Sequence, residues 1–300
     1  MTRRDWSLLL TLSLLWGGSF LFVELALRGL PPLTIVIGRV GVAALILGLV
    51  LWGGRFFGEK SVTSALPRRA WGAALVMGFL NNAVPFTLFA LAQGRIDGAL
   101  AAIVNATTPL WTVVVAHLCT ADERITPAKA AGLGFGFAGV AAMTGRAGGG
   151  EALAILACLA AALSYGLAAV WGRRFRRMGV SPLATAFGQT AGATLLLAPL
   201  WLALDRPWAM PAPAAGPLLA VLAMAALSTA LAYLIYFRLL ASAGATNLSL
   251  VTFLIPASAA LLGMAFLGEV LLPRHLLGFA LIAAGLLAMD GRLMRRRARP

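Results

Sequence analysis

The stretch PAKAAGLGFGFAGVAAM, residues 127–143, returns as PRHLLGFALIAAGLLAM at residues 273–289. Pro127, Gly132, Gly139 and Ala142-Met143 meet Pro273, Gly278, Gly285 and Ala288-Met289 at a constant offset of 146. One such match between apolar sequences carries little weight; a series in register carries much more. Outward from this stretch the series continues: Glu123 returns as Glu269 and Pro109 as Pro256, while Pro32-Leu33 with Gly38-Arg39 returns as Pro182-Leu183 with Gly188-Gln189 at an offset of 150. The chain is therefore read as two repeats, residues 1–147 and 148–300, the second ending in a basic tail.

Composition says where such a chain lives. Of 300 residues, 61% are apolar and only 11% charged, with a mean hydropathy of +0.91. A soluble domain carries charge on about 25% of its residues, so a bilayer must take the apolar surface, and soluble enzymes, secreted scaffolds and disordered chains are excluded. Cys119 and Cys158 sit in apolar surroundings and read as small hydrophobes rather than a disulfide framework. The net charge of +14 falls in short clusters between apolar runs rather than on one face, which argues against a nucleic-acid partner. Abundant Ala and Arg with only two Lys point to a GC-rich bacterial genome, hence to the inner (plasma) membrane as a multi-pass protein.

A crossing helix needs about 20 mostly apolar residues. Ten runs qualify: 7–26, 32–53, 70–92, 98–119, 128–146, 151–171, 182–204, 215–239, 245–267 and 274–292. Counting Lys and Arg in alternate loops and at the ends puts 18 on one side and 5 on the other, with Arg39 inside a span. Cytoplasmic loops carry the excess, so both termini are expected in the cytoplasm. Five crossings per repeat make the second enter from the opposite face. The expected fold is an all-α polytopic membrane protein of ten transmembrane helices in two inverted five-helix repeats, a transporter architecture with its site at mid-depth.

The residues Leu15-Trp16-Gly17-Gly18-Ser19-Phe20, Pro31-Pro32-Leu33-Thr34 leading to Arg39, Asn105 to Pro109, Glu123-Arg124-Ile125-Thr126-Pro127 and Gly132 to Gly139, echoed by Pro256, Gly268-Glu269 and Gly278 to Gly285, resemble the EamA family of the drug/metabolite transporter (DMT) superfamily over nearly the whole chain. Within it the chain is most similar to the YddG-type exporters of aromatic and other neutral amino acids. The resemblance implies an amino-acid cargo and outward transport; composition and periodicity do not.

Candidate site residues come from polar, aromatic and helix-breaking groups inside spans. Glu24 and Arg39 are the two ionised side chains at depth. They read either as a charge pair closing the outer end, or as a proton carrier and a carboxylate anchor. Pro109 and Pro256 free the carbonyls of Asn105 and Thr252, which must find partners inside the protein or in a wet cavity. These two kinks are expected to flex as gates, with Asn105, Thr107, Thr108, Thr252 and Ser258 beside them; Pro85 with Asn81 and Asn82 adds a break in the third span. Most tryptophans fall at span ends, as interfacial belts require. Trp16 and Trp111 do not, and with Ser19, Phe79, Phe86, Tyr165 and Tyr233 they suit an apolar, π-rich pocket, although core packing is the commoner fate of each. Trp16, Ser19, Phe79, Asn82, Asn105, Thr108, Trp111, Tyr165, Tyr233 and Thr252 are thus the expected substrate-binding set, and Glu24, Arg39, Pro109 and Pro256 the gating or charge-pair set.

A single buried Arg disfavours phosphorylated cargo, which needs several cations, so a neutral or zwitterionic small molecule is expected. Neither a cofactor nor a metal is expected; His117 and His275 lie near opposite membrane faces. No zincin, serine-hydrolase, phosphate-loop or paired-aspartate motif marks a membrane enzyme. Carriers of other metabolites or drugs and a passive channel-like facilitator are the alternatives. With no acid near mid-depth, facilitated diffusion is the simplest energetics. Gly132 and Gly136 allow close helix approach, expected within a monomer, with a homodimer as the alternative.

Overall fold

The computed structural model describes residues 1–56, 65–121, 123–144 and 148–290. Among these, all regular structure is helical: α1 (Arg3–Leu27), α2 (Pro32–Phe56), α3 (Arg68–Gln93), α4 (Gly98–Cys119), α5 (Pro127–Thr144), α6 (Gly149–Arg177), α7 (Pro182–Leu204), α8 (Ala215–Gly244), α9 (Val251–Leu267) and α10 (Pro273–Asp290). Seven of them, α1 to α4 and α6 to α8, are long and apolar enough to cross a membrane, and α9 and α10 are shorter apolar helices. This is a multi-pass membrane protein. The expected repeat boundary near 147, Lys60 and the basic tail 291–300 lie outside the described residues.

Thr2 and Asp5 start α1 with a reciprocal capping box, in which the Thr2 hydroxyl accepts from the Asp5 amide and the Asp5 carboxylate from the Thr2 amide. Such a box satisfies two of the donors a helix start leaves open. Ser181 caps α7 by accepting from the Ala184 amide.

The repeats do not stand side by side as two bundles. The most extensive helix contacts are α5 with α10, α1 with α8 and α9, α2 with α7, α3 with α6 and α7, and α4 with α6, and every one joins one repeat to the other. The antiparallel α5–α10 pair shows why. A Cβ on Gly139 would lie 2.6 Å from the carbonyl oxygen of Gly278, and one on Gly285 would lie 2.5 Å from that of Gly132, so both backbones touch where only hydrogen fits. Met143 occupies the space above Gly278, and Met289 the space above Gly132. Residues 146 apart in sequence thus make the same contact twice, as a two-fold relation requires. Gly132 packs against α10 and Gly136 against Leu110, both within the chain.

Three spans depart from regular α-helix. In α3, residues Phe79–Ala83 form a π-helical turn just before Pro85. The inserted residue relieves the clash and the missing donor that proline brings to an α-helix. In α8, Met224–Leu231 is π-helical without a proline, and the Thr229 hydroxyl donates to the Met224 carbonyl five residues back, at 3.2 Å. In α4 the helix stops at Asn105 and restarts at Thr108.

The expected span 245–267 is not continuous. α8 stops at Gly244, whose φ of 76° is left-handed, and a short helical run continues from there to Leu248 before α9 begins at Val251. Glycine tolerates that φ without steric cost, and the turn is closed by the Thr252 amide donating to the Ser249 carbonyl at 3.1 Å.

Candidate functional site

Arg39, a charge within a span, is 7% exposed. Its Nε donates to the Thr229 hydroxyl at 2.9 Å, and its guanidinium carbon stands 3.6 Å over the ring of Phe86. The phenols of Tyr165 and Tyr233 lie within reach of its charge. A cation held by one hydroxyl and a π-face is weakly compensated, since neither partner carries the opposite charge. Its terminal nitrogens donate to no described residue.

The pair expected between Arg39 and Glu24 does not form. Glu24 turns instead toward Gln93 and Glu269, with one carboxylate oxygen buried and without a partner among the described residues. Arg39 lies about two turns inside α2, and its side chain is committed to α8 through the π turn that brings Thr229 to it. A sequence distance measured along two spans cannot see that commitment.

Opposite Arg39 in the repeat sits Gln189, the residue at its position on α7. Its Oε1 accepts from Asn81 Nδ2 at 3.1 Å. Asn81 and Asn82 both donate to the Tyr233 hydroxyl, at 3.2 Å each. The pattern is thus exchanged between repeats. The polar residue of α2 meets the π turn of α8, and the polar residue of α7 meets the π turn of α3. π turns displace one residue out of the hydrogen-bond ladder and often mark functional positions. Asn82, Gln189, Thr229 and Ser228 are at most 2% exposed, so the cluster is closed over in this conformation. The Oδ1 of Asn82 and the hydroxyl of Ser228 have no partner among the described residues.

Of the expected binding residues, Tyr165, Tyr233 and Asn82 are brought together, with Arg39 from the gating or charge-pair set and Phe86 beside them. Phe89 links Tyr165 by stacking at 6.3 Å to Phe20, which meets it edge-on at 5.6 Å. Trp16 stands 5.7 Å from Tyr236, and Ser19 is buried one turn further along α1. Trp111 is set apart: it packs edge-on against Phe137 of α5 at 5.1 Å, with its indole nitrogen unpartnered. Phe79 is 48% exposed on the π turn.

The Asn105 carbonyl, freed by Pro109, takes the Thr108 hydroxyl at 2.8 Å, so this break is closed locally. Pro256 is buried within α9 without ending it, and Thr252 bonds only the Ser249 carbonyl at the exposed turn. Ser258 bridges to α1, donating to the Ser13 carbonyl at 2.7 Å, while Gly17 lets the two helices close on this bridge.

Gln189, Thr229 and Ser228 were not expected as site residues. Gln189 was legible as the repeat counterpart of Arg39; Thr229 and Ser228 gave no signal, because no proline announces the π turn that carries them. An apolar groove of about 330 Å³ lies elsewhere, on the flank formed by α2, α7 and α8, where Ile37, Gly41, Leu45, Trp201 and Leu218 line it. None of the expected binding residues lines this groove.

At the end of the molecule that holds Glu24, the Glu269 carboxylate accepts from the amides of Gly98 and Ala99 at 3.0 Å each. Burial pushes this carboxyl above its ordinary value and Asp97 adds to the rise, against the two amide bonds that pull it down.

Comparison with known proteins agrees with the repeat. The model of the EamA-like transporter family matches twice, over residues 6–145 and 152–289. The uncharacterized transporter YvbV of Bacillus subtilis (strain 168) is 27% identical over 97% of this chain and 93% of its own. The uncharacterized transporter YoaV of the same organism is 23% identical over 96% and 97%. A solved crystal structure, 22% identical, superposes with a TM-score of 0.66 over 99% of this chain and 100% of that one; it speaks for the fold. With both repeats matched along nearly the whole chain, the protein belongs to the EamA-like transporter family: it is a membrane transporter and not an enzyme.

Proposed function

We propose that the protein carries zwitterionic small metabolites with hydrophobic side chains, aromatic amino acids first among them, out of a bacterial cell across its inner membrane by alternating access. In this reading the chain crosses ten times, the repeats are inverted in the membrane, and both termini are cytoplasmic. The observation that carries the substrate class is Arg39. A buried guanidinium with only a hydroxyl and an aromatic face for company matches one carboxylate, and the aromatic groups around it match an apolar side chain better than a sugar or a phosphate. Asn81, Asn82, Gln189 and Tyr233 supply neutral donors and acceptors for the ammonium and for orientation.

Reconstituted protein tests this. Saturable uptake and counterflow of labelled phenylalanine, tryptophan or leucine, with little flux of sugars or sugar phosphates, is the expected result. Equal flux of all solutes without counterflow would identify a passive facilitator, and preference for anionic phosphates would overturn the substrate class.

A further inference from the structure

We propose that Glu269 is the latch of the outer gate, and that this carboxylate, holding the start of α4 from the other repeat, sets a resting state closed to the outside. The assignment of "outer" rests on the orientation given under Proposed function.

The first turn of a helix leaves its amides without partners. Asp97, at the cap of α4, makes no side-chain bond to them. Instead both Glu269 oxygens arrive from the far end of α9, 171 and 170 residues away in sequence, and take the Gly98 and Ala99 amides at 3.0 Å. Charge-assisted bonds at a helix N-terminus are among the stronger ones available. They tie the first repeat to the second where the chain leaves the membrane.

Three glycines make the contact possible. Gly268, with φ of 70°, turns the chain back after α9, and the Glu269 amide donates to the Gly263 carbonyl at 3.2 Å. The Glu269 carboxylate then folds over Gly263, in the space a Cβ there would occupy. At Gly98 a Cβ would lie 3.3 Å from Glu269 Oε1 and 3.1 Å from Gln93 Nε2.

The opposite end lacks the device. Glu123 holds the same repeat position as Glu269, and Gly244-Ala245 the same position as Gly98-Ala99, at the offset of 146. Yet Glu123 is paired with Arg173 of α6. The residue in the place of Gly263 is His117, so the repeat position that is bare at one end carries a side chain at the other. Two ends that the repeat makes equivalent are therefore unequal, and the end with Glu269 has the bonds to helix amides.

The test uses full-length protein in proteoliposomes, with Cys119 and Cys158 replaced by Ala. Ala102, fully buried about one turn inside α4, is replaced by Cys as reporter, and Ala212 in the α7–α8 loop as an orientation control. Labelling by a membrane-impermeant maleimide is timed. Glu269→Ala is expected to speed labelling at position 102 by about tenfold or more, through loss of two charge-assisted bonds. Gly263→Ala keeps the carboxylate but fills its seat, and is expected to do the same; Glu123→Ala is not. Unchanged labelling in both Glu269→Ala and Gly263→Ala, with each variant monodisperse, overturns the latch. If position 212 is labelled only from the lumen in inside-out vesicles, the orientation is as read; the reverse result overturns the word "outer" and is separable from the latch itself. Loss of amino-acid transport plays no part in either readout.

Discussion

Arg39 of the first repeat donates to Thr229 of the second at 2.9 Å, across 190 residues of sequence and onto a π turn. Gln189 of the second repeat meets Asn81 of the first on the other π turn. The two contacts occupy equivalent places, but only one holds a charge. Under the proposed function this asymmetry gives a zwitterion one expected orientation, with its carboxylate toward Arg39 of α2.

This gives the first prediction. Arg39→Gln is expected to raise the KM for zwitterionic amino acids by about 10- to 100-fold, the worth of a hydrogen bond to a charged group. Thr229→Val is expected to cost less in KM and more in stability, since it leaves the buried Nε unpaired. Proteoliposome uptake beside thermal unfolding in detergent measures both. An unchanged KM in Arg39→Gln removes Arg39 from the binding set.

Glu24 and Arg39 are predicted to act independently. Their substitutions, Glu24→Gln and Arg39→Gln, are expected to add in melting free energy to within about 0.5 kcal/mol, as distant sites without shared partners do. A double-mutant cycle with a coupling well above that would reinstate the charge pair.

Tyr233→Phe removes the shared acceptor of Asn81 and Asn82. With Asn82 fully buried, the expected loss is about 1–3 kcal/mol of stability, the cost of leaving a buried donor unsatisfied. Tyr236→Phe, whose hydroxyl bonds no described residue and whose ring packs against Trp16 and Phe237, is expected to cost less. Chemical or thermal unfolding of the two variants side by side decides.

The two-fold relation of α5 and α10 makes its own prediction. Gly132→Val and Gly278→Val insert side chains into the same contact made twice, and each is expected to destabilise by about 1–3 kcal/mol, to similar extents. Gly134→Ala meets open space and is expected to be neutral or to stabilise by up to about 1 kcal/mol. Unequal costs at 132 and 278 would deny the equivalence.

Glu269 fixes the sign of a pH effect. Its carboxyl lies above the ordinary value of 4.5 in the folded protein. The stabilisation linked to it is complete below that ordinary value and is lost as pH rises through the raised one. Its charged neighbours are Asp97 at the α4 cap and Glu24 of α1, itself near Arg28. Glu269→Gln removes the titration. As pH rises above the ordinary value of 4.5, the wild-type melting temperature is expected to fall relative to that of the Gln variant, by linkage. A relative rise would contradict the shift.

Much of this molecule was legible before any coordinates. Composition excluded water as its only solvent, because 11% charge cannot cover a particle of this size. The offset of 146 announced the repeat, and the α5–α10 glycines met as their spacing implied. The site was less legible. Tyr165, Tyr233, Asn82 and Arg39 stood out as candidates because a polar group inside an apolar span contrasts with its background. Thr229 and Ser228 were not, because threonine and serine in a span are common and the π turn in α8 has no sequence marker.

Membership of the class, the duplication and the polar residues at depth follow from local chemistry, which each stretch of chain carries by itself. The partners of those residues do not. That Arg39 turns to Thr229 rather than Glu24, that Gln189 answers it across the repeat, and that Glu269 closes one end while Glu123 pairs with Arg173 all depend on which helices pack against which. Apolar helix faces are nearly interchangeable as surfaces, so only the packed tertiary structure, with its glycine contacts and two π turns, selects among the pairings that the sequence allows.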